Sequence, residues 1–198
     1  MIFLGVVCIF AAAALTLYNR WEDKRAGEEA AALGEEVRTA IEKQEEPAED
    51  VNKNKKTVTV MGEEFLGCLL IPSAGLEIPV LADFSMEGME RGAVWYAGSR
   101  DTNDLVIAGH NYTRIFRPIK QLPVGTKIQL MDAWGEVTDY EVSGLETLGP
   151  YQVEELKAQS DDWDLSLFTC TTGGASRYVL RCSRVESAEI YQNQKSKS

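Results

Sequence analysis

Leu165-Ser166-Leu167-Phe168-Thr169-Cys170-Thr171-Thr172-Gly173-Gly174-Ala175-Ser176-Arg177-Tyr178-Val179-Leu180 reads as a β-strand that ends on a thiol, a short glycine-containing connection, and a second strand entered through an arginine. A nucleophile and a fixed positive charge are thereby held close together. A free thiol with a pKa near 8.5 is only about 3% thiolate at pH 7, so a cysteine nucleophile works best beside a cation or a base. The chain has a single histidine, His110, in Val106-Ile107-Ala108-Gly109-His110-Asn111. Imidazole titrates near neutrality and can protonate a departing amine, whereas guanidinium stays charged and can only stabilise negative charge. These types assign His110 the acid and base roles and Arg177 the donor to a developing oxyanion. Arg181 falls on the same strand face and is the main rival, although it is carried roughly 13 Å further along than Arg177, which opens the strand. Singly, each residue has a plainer reading: a packed strand-end thiol, a turn histidine, a surface arginine covering apolar area with its stem. The combination carries the signal.

Outward from this stretch, the chain after Thr57 consists of short β-rich segments punctuated by Gly, Pro, Asn and Asp. Strand-like runs fall near 64–71, 76–81, 92–96, 104–109, 127–132, 136–147, 165–170 and 177–185. Many short strands with turn signals predict a closed β-barrel or a sandwich. One short helix is predicted around Arg114 to Leu122, with Pro118 in its first turn or breaking it, and a second around Val153 to Gln159.

The N-terminal part differs in texture. Ile2 to Tyr18 is apolar except for Thr16 and the tyrosine hydroxyl, and as a helix it extends roughly 25 Å, near the lower limit for a membrane span. A single anchor over 1–18 is the reading, against a cleaved signal peptide or a buried helix. Residues 19–56 read as an acidic stalk. Leu33, Val37 and Ile41 at fourfold spacing argue a self-associating helix, and the high charge argues equally for a flexible tether. The folded barrel is expected over 57–187, followed by a polar tail over 188–198. Arg20, Lys24 and Arg25 follow the span with nothing basic but the amino terminus before it, so the positive-inside rule alone leaves the barrel in the cytoplasm.

With 198 residues and 44% hydrophobic content, the chain can bury one ordinary core. A net charge of −11 argues against nucleic-acid binding. The cysteines at 8, 68, 170 and 182 show no CxxC spacing, so no structural zinc site is expected. Cys68 and Cys182 are most simply core thiols, with a disulfide between them the alternative.

Over residues 64–185 the sequence resembles the sortase family, the membrane-anchored cysteine transpeptidases of Gram-positive cell surfaces. Phe65-Leu66-Gly67-Cys68-Leu69-Leu70-Ile71-Pro72 with Leu76-Glu77-Ile78-Pro79-Val80 is similar to the family's opening strand pair, and Ala108-Gly109-His110-Asn111 to its histidine segment. Leu167-Phe168-Thr169-Cys170-Thr171 and Arg177-Tyr178-Val179-Leu180 resemble its Thr-Leu-x-Thr-Cys segment and arginine strand. The resemblance implies an all-β, eight-stranded sortase-type barrel with one or two short helices. It implies His110, Cys170 and Arg177 as catalytic residues, with Thr169 and Thr171 meeting substrate. The implied reaction is cleavage of an LPxTG-like sorting signal through a thioacyl enzyme, then transfer to an amine of a peptidoglycan precursor or a pilin. The barrel would then lie outside the cell on a single-pass anchor, contrary to the charge rule.

No cofactor is expected. Some sortases bind calcium before the cysteine strand, where Glu154, Glu155, Asp161, Asp162 and Asp164 fall here, but the spacing matches no defined loop and reads as a solvated acidic segment. The Asp-Pro-aromatic lid of pilus-polymerising members is not seen before the barrel, and no second apolar span follows Val185, which leaves the subclass open. The L,D-transpeptidases also pair His with a later Cys, but their Ser-x-Gly-Cys-x-Arg pattern is missing. The remaining alternative is a catalytically silent, membrane-tethered barrel used as a binding module.

Overall fold

Alternating apolar residues bounded by turn formers build strands close to where the pattern puts them. In the structure, a computed structural model that describes residues 2–43, 57–171 and 173–185, these are β1 (Val58–Val60), β2 (Glu63–Ile71), β3 (Leu76–Leu81), β4 (Ala93–Ala97), β5 (Leu105–Gly109), β6 (Lys127–Asp132), β7 (Val137–Leu148), β8 (Leu165–Cys170) and β9 (Arg177–Arg184). Neighbours run β1-β2-β3-β4-β5-β8-β9-β7-β6, and β6 pairs back onto β2. That pairing closes an eight-stranded barrel and leaves β1 as a short extra strand on β2. The β3–β4 and β5–β8 pairs are parallel and the others antiparallel.

Closure depends on Gly67. The register of β2 against β3 shifts between Phe65 and Gly67, where Gly67 takes a φ of 142°. A Cβ there would lie 1.9 Å from the Met131 carbonyl oxygen of β6. Only glycine allows this positive φ and this approach together.

Alternation sorts the strands into two apolar layers. Leu69, Ile71, Ile78, Ile107, Leu165, Leu167, Leu180 and Cys182 fill the barrel interior. Phe65, Cys68, Val94, Val106, Ala108, Phe168 and Val179 form a second layer on the outer face. Part of that outer layer is covered by α1 (Ile2–Lys43), one continuous helix about 63 Å long at the usual rise.

The stalk expected over 19–56 is corrected for its described part. Residues 19–43 prolong the anchor helix, and Ala26, Ala30, Leu33, Val37 and Ile41 are buried on the barrel at 8, 1, 8, 0 and 4% exposure. The fourfold stripe is thus a docking face, not a self-association seam or a tether. Gly34 permits the contact, since a Cβ there would sit 3.2 Å from the Glu77 carbonyl oxygen. Arg38 adds an ion pair to Glu77 at 3.3 Å. The first part of α1 touches no barrel: Phe3 and Phe10 are 82% and 71% exposed, and the run is long and apolar enough to cross a membrane. The remainder of the stalk, 44–56, and the tail over 188–198 lie outside the described residues.

One helix expectation also changes. The helix over Arg114 to Leu122 shrinks to a 3-10 turn, Pro118–Gln121, because Pro118 takes its first position and the preceding residues form a hydrogen-bonded loop. The one around Val153 to Gln159 forms as α3 (Val153–Lys157). A further helix, α2 (Met86–Arg91), is capped by Ser85, whose hydroxyl accepts from Gly88 N at 2.9 Å.

Candidate active site

Three adjacent strands, β5, β8 and β9, deliver the site. In the antiparallel β8–β9 pair Cys170 lies directly opposite Arg177. In the parallel β5–β8 pair the register runs as far as Ala108 opposite Phe168; His110 follows the end of β5 directly, and Cys170 ends β8. Alternation from Ala108, Phe168 and Val179, all in the outer layer, puts His110, Cys170 and Arg177 on that same outer face. All three are half-buried.

The hairpin is closed immediately beyond the pair. Thr171 N donates to Ser176 O at 2.9 Å, and Ser176 N donates to the Thr171 hydroxyl at 3.1 Å. Gly173 and Gly174 supply φ values of 90° and 73° for the reversal. Thr171 therefore shapes the hairpin with its hydroxyl while remaining half-buried beside Cys170.

The two arginines separate cleanly. Arg181 donates from Nε to Glu146 Oε1 at 2.6 Å, from Nη1 to Leu156 O at 3.0 Å and Ser166 Oγ at 2.6 Å, and from Nη2 to Glu155 O at 2.7 Å. It also lies over the Trp163 ring at 4.4 Å. It is a fixed brace for α3. Arg177 Nη1, in contrast, is buried with no hydrogen-bond partner among the described residues. A buried, unsatisfied guanidinium donor is costly unless a ligand completes it.

The thiols separate as well. Cys68 and Cys182 are both fully buried and unpaired, so no disulfide joins them. Burial pushes each thiol up to about 12, with Glu77 adding to the effect at Cys68 and Arg38 opposing it. Neither can supply a thiolate near neutral pH. Beyond α1, Cys170 is the one described cysteine that is not buried.

Thr169 requires a correction. It is 1% exposed, and alternation puts it with Leu165 and Leu167 on the interior face, opposite Cys170. Its hydroxyl has no partner among the described residues. The structure does not bring it to the surface where a substrate on Cys170 would lie.

Other neighbours were not legible from the sequence. The Tyr112 ring stacks on His110 at 5.1 Å between centroids. Lys120 Nζ sits 4.9 Å from the Tyr178 ring centre. Burial and then Arg117 push the Lys120 amine below the usual lysine range, while a Cys170 thiolate pulls it the other way. On the outer face, Phe168 meets Tyr96 edge-on at 5.0 Å and Tyr96 meets Phe84 at 5.5 Å. This aromatic row leads away from Cys170 to the half-exposed Phe84. Of the acidic residues before β8, Asp164 accepts through Oδ2 from Arg184 N at 2.6 Å, and Asp162 accepts through its backbone carbonyl from Ser183 Oγ at 2.6 Å.

A closed barrel that presents a half-exposed thiol, an imidazole and an unsatisfied guanidinium on one face is equipped for acyl chemistry on a cysteine. The chain belongs to the sortase family, whose domain model matches residues 69–185. It is 29% identical over 125 residues to sortase A of Bacillus anthracis, a match spanning 60% of this chain and 59% of that relative. It is 27% identical over 144 residues to sortase D of Bacillus subtilis (strain 168), covering 69% of this chain and 72% of that one. Among solved structures, Clostridium perfringens sortase C with the C-terminal cell wall sorting motif superposes with a TM-score of 0.56 at 19% identity, over 89% of this chain and 100% of that one. At that identity the likeness is one of fold.

Proposed function

We propose that the protein is a sortase-type cysteine transpeptidase that cleaves an LPxTG-like sorting signal and passes the acyl group to an amine of a cell-wall precursor or a pilin. The observation that carries this reading is the pairing of Cys170 with Arg177 across the hairpin, with the buried Arg177 Nη1 donor lacking a partner among the described residues.

The Cys170 thiolate attacks the threonine carbonyl carbon of the signal, and the carbonyl oxygen takes up the negative charge within reach of the Arg177 fork. Collapse of the tetrahedral species re-forms the carbonyl and breaks the C–N bond, and the departing glycine amine takes a proton from the His110 imidazolium. A thioester on Cys170 remains. The acceptor amine then attacks the thioester carbon, His110 takes its proton, and the thiolate leaves, so the cycle ends with its starting groups. The apolar part of the signal fits the aromatic row of Phe168, Tyr96 and Phe84 on the same face. Thr171, the half-buried neighbour of Cys170, touches the scissile residue in this reading. The extracellular setting rests on this reading, because the proposed acceptor amines belong to the cell surface.

Cys170→Ala should abolish peptide cleavage and transfer and leave the thermal melt within a degree or two, since the side chain ends a strand and is half-buried. Turnover within about tenfold of wild type would remove Cys170 as the nucleophile.

A further inference from the structure

The loop after His110 is held by the helix that carries the anchor. Asp23 of α1 accepts from Thr113 N at 2.8 Å, from the Thr113 hydroxyl at 2.5 Å and from Arg117 Nη1 at 3.1 Å. Arg117 also donates from Nη1 to Thr113 Oγ1 at 2.7 Å and from Nε to the carbonyl oxygen of Asn111 at 3.2 Å. One carboxylate therefore gathers both sides of the loop, and through Arg117 it reaches the residue next to His110. The loop's own bonds complete the frame: Phe116 N donates to His110 O at 3.1 Å, and Arg117 N to Tyr112 O at 3.0 Å. Tyr112 in turn stacks on the imidazole.

One turn further along α1, Gly27 lies against Arg114, and a Cβ there would come within 2.9 Å of the Arg114 Cδ. The loop thus runs along α1 from Asp23 to Gly27. At the usual rise, Asp23 is only about 8 Å along the axis from Tyr18, the end of the apolar run.

The groups that face Asp23 suit a permanent clamp. Burial acts to raise its pKa, but the two Thr113 hydrogen bonds and Arg117 outweigh it and hold the carboxyl below the ordinary aspartate range. A depressed folded-state value means the contribution is present above the unfolded value of about 3.9 and is lost as pH falls through the lower folded value. Near neutral pH the clamp is fully charged.

We propose that Asp23 is a positioning residue for His110: through Thr113 and Arg117 it fixes the loop that orients the imidazole, and so ties the site to the segment of α1 next to the anchor. This rests on the reading of His110 as the acid and base group.

The test uses the full chain in detergent micelles. Cys170 is alkylated with iodoacetamide across a pH series and its peptide is quantified by mass spectrometry, which needs no sorting signal; kcat and KM are measured separately on a signal peptide. Asp23→Asn keeps the shape and loses the charge. It should move the alkylation midpoint by about half a pH unit or more and lower kcat about tenfold, with KM within about twofold. Thr113→Val keeps the backbone donor and removes the hydroxyl, so it should give a smaller change in the same direction, and it decides the matter if Asp23→Asn does not fold. A lower melting temperature with an unchanged alkylation profile and kcat would show a merely structural contact and overturn the proposal. His110→Ala separates the two readings. If it shifts the profile and Asp23→Asn does not, the clamp alone fails. If neither shifts it, the pairing of His110 with Cys170 fails too, and the clamp's role with it.

Discussion

Arg177 and Arg181 share one face of β9, and their surroundings give them different work. Arg181 is bonded on every nitrogen, to Glu146, Ser166 and the carbonyls of Glu155 and Leu156, so its removal would strip α3 of its brace. Arg181→Ala should cost roughly 2–4 kcal/mol of stability, the scale for leaving buried partners unsatisfied. Arg177 stands opposite Cys170 with a buried donor that has no partner among the described residues, so Arg177→Ala should lower kcat/KM by about 10² to 10³ with little change in the melt. Kinetics and melts on both variants decide it, and the opposite assignment follows if Arg181→Ala loses turnover without losing stability. That Arg177 is nearer the thiol was legible in the sequence, because a hairpin joins the ends closest to its turn. The bonding of Arg181 was not, since its partners lie 15 to 35 residues away. Thr169 shows the reverse case: motif resemblance brought it to the substrate, although simple alternation from Cys170 already turned it inward.

At the scale of elements, β2 through β9 were legible because alternation and turn residues are local signals. The short helices were less so: α2 depends on a single Ser85 cap, and Pro118 reduces a helical stretch to one 3-10 turn. For α1 the stripe of Leu33, Val37 and Ile41 was visible, but periodicity reports only that a face is apolar, not what covers it. Its burial on the barrel makes α1 part of the folded unit. Val37, at 0% exposure, tests this directly. Val37→Ala should cost about 2 kcal/mol, or roughly 4–8 °C in melting temperature for a domain of this size. The flanking Thr39→Ala should change little. A melt unmoved by Val37→Ala would mean that the helix does not dock.

For the whole molecule, a helix that is bare at one end and docked at the other fixes the barrel close to whatever surface receives the apolar run. The charges that made orientation ambiguous are partly engaged, since Lys24 and Arg25 pair with Glu28 and Glu29, and Arg25 also lies over Trp21. The orientation rule counts Lys and Arg whatever acids stand beside them, so the outward barrel rests on the proposed acceptor chemistry. A membrane-impermeant amine reagent applied to intact cells should label the exposed Lys127 and Lys157. Labelling only after lysis would restore the orientation given by the charge rule.

The central claim is that Cys170 carries the acyl group. The most direct measurement is the intact mass of the protein after brief incubation with an LPxTG-type peptide in the absence of amine, followed by mapping of the modified peptide. The predicted result is an added mass equal to the acyl portion up to threonine, located on Cys170 and discharged when an amine is supplied. Peptide that binds without forming an adduct, or an adduct on another cysteine, would contradict it.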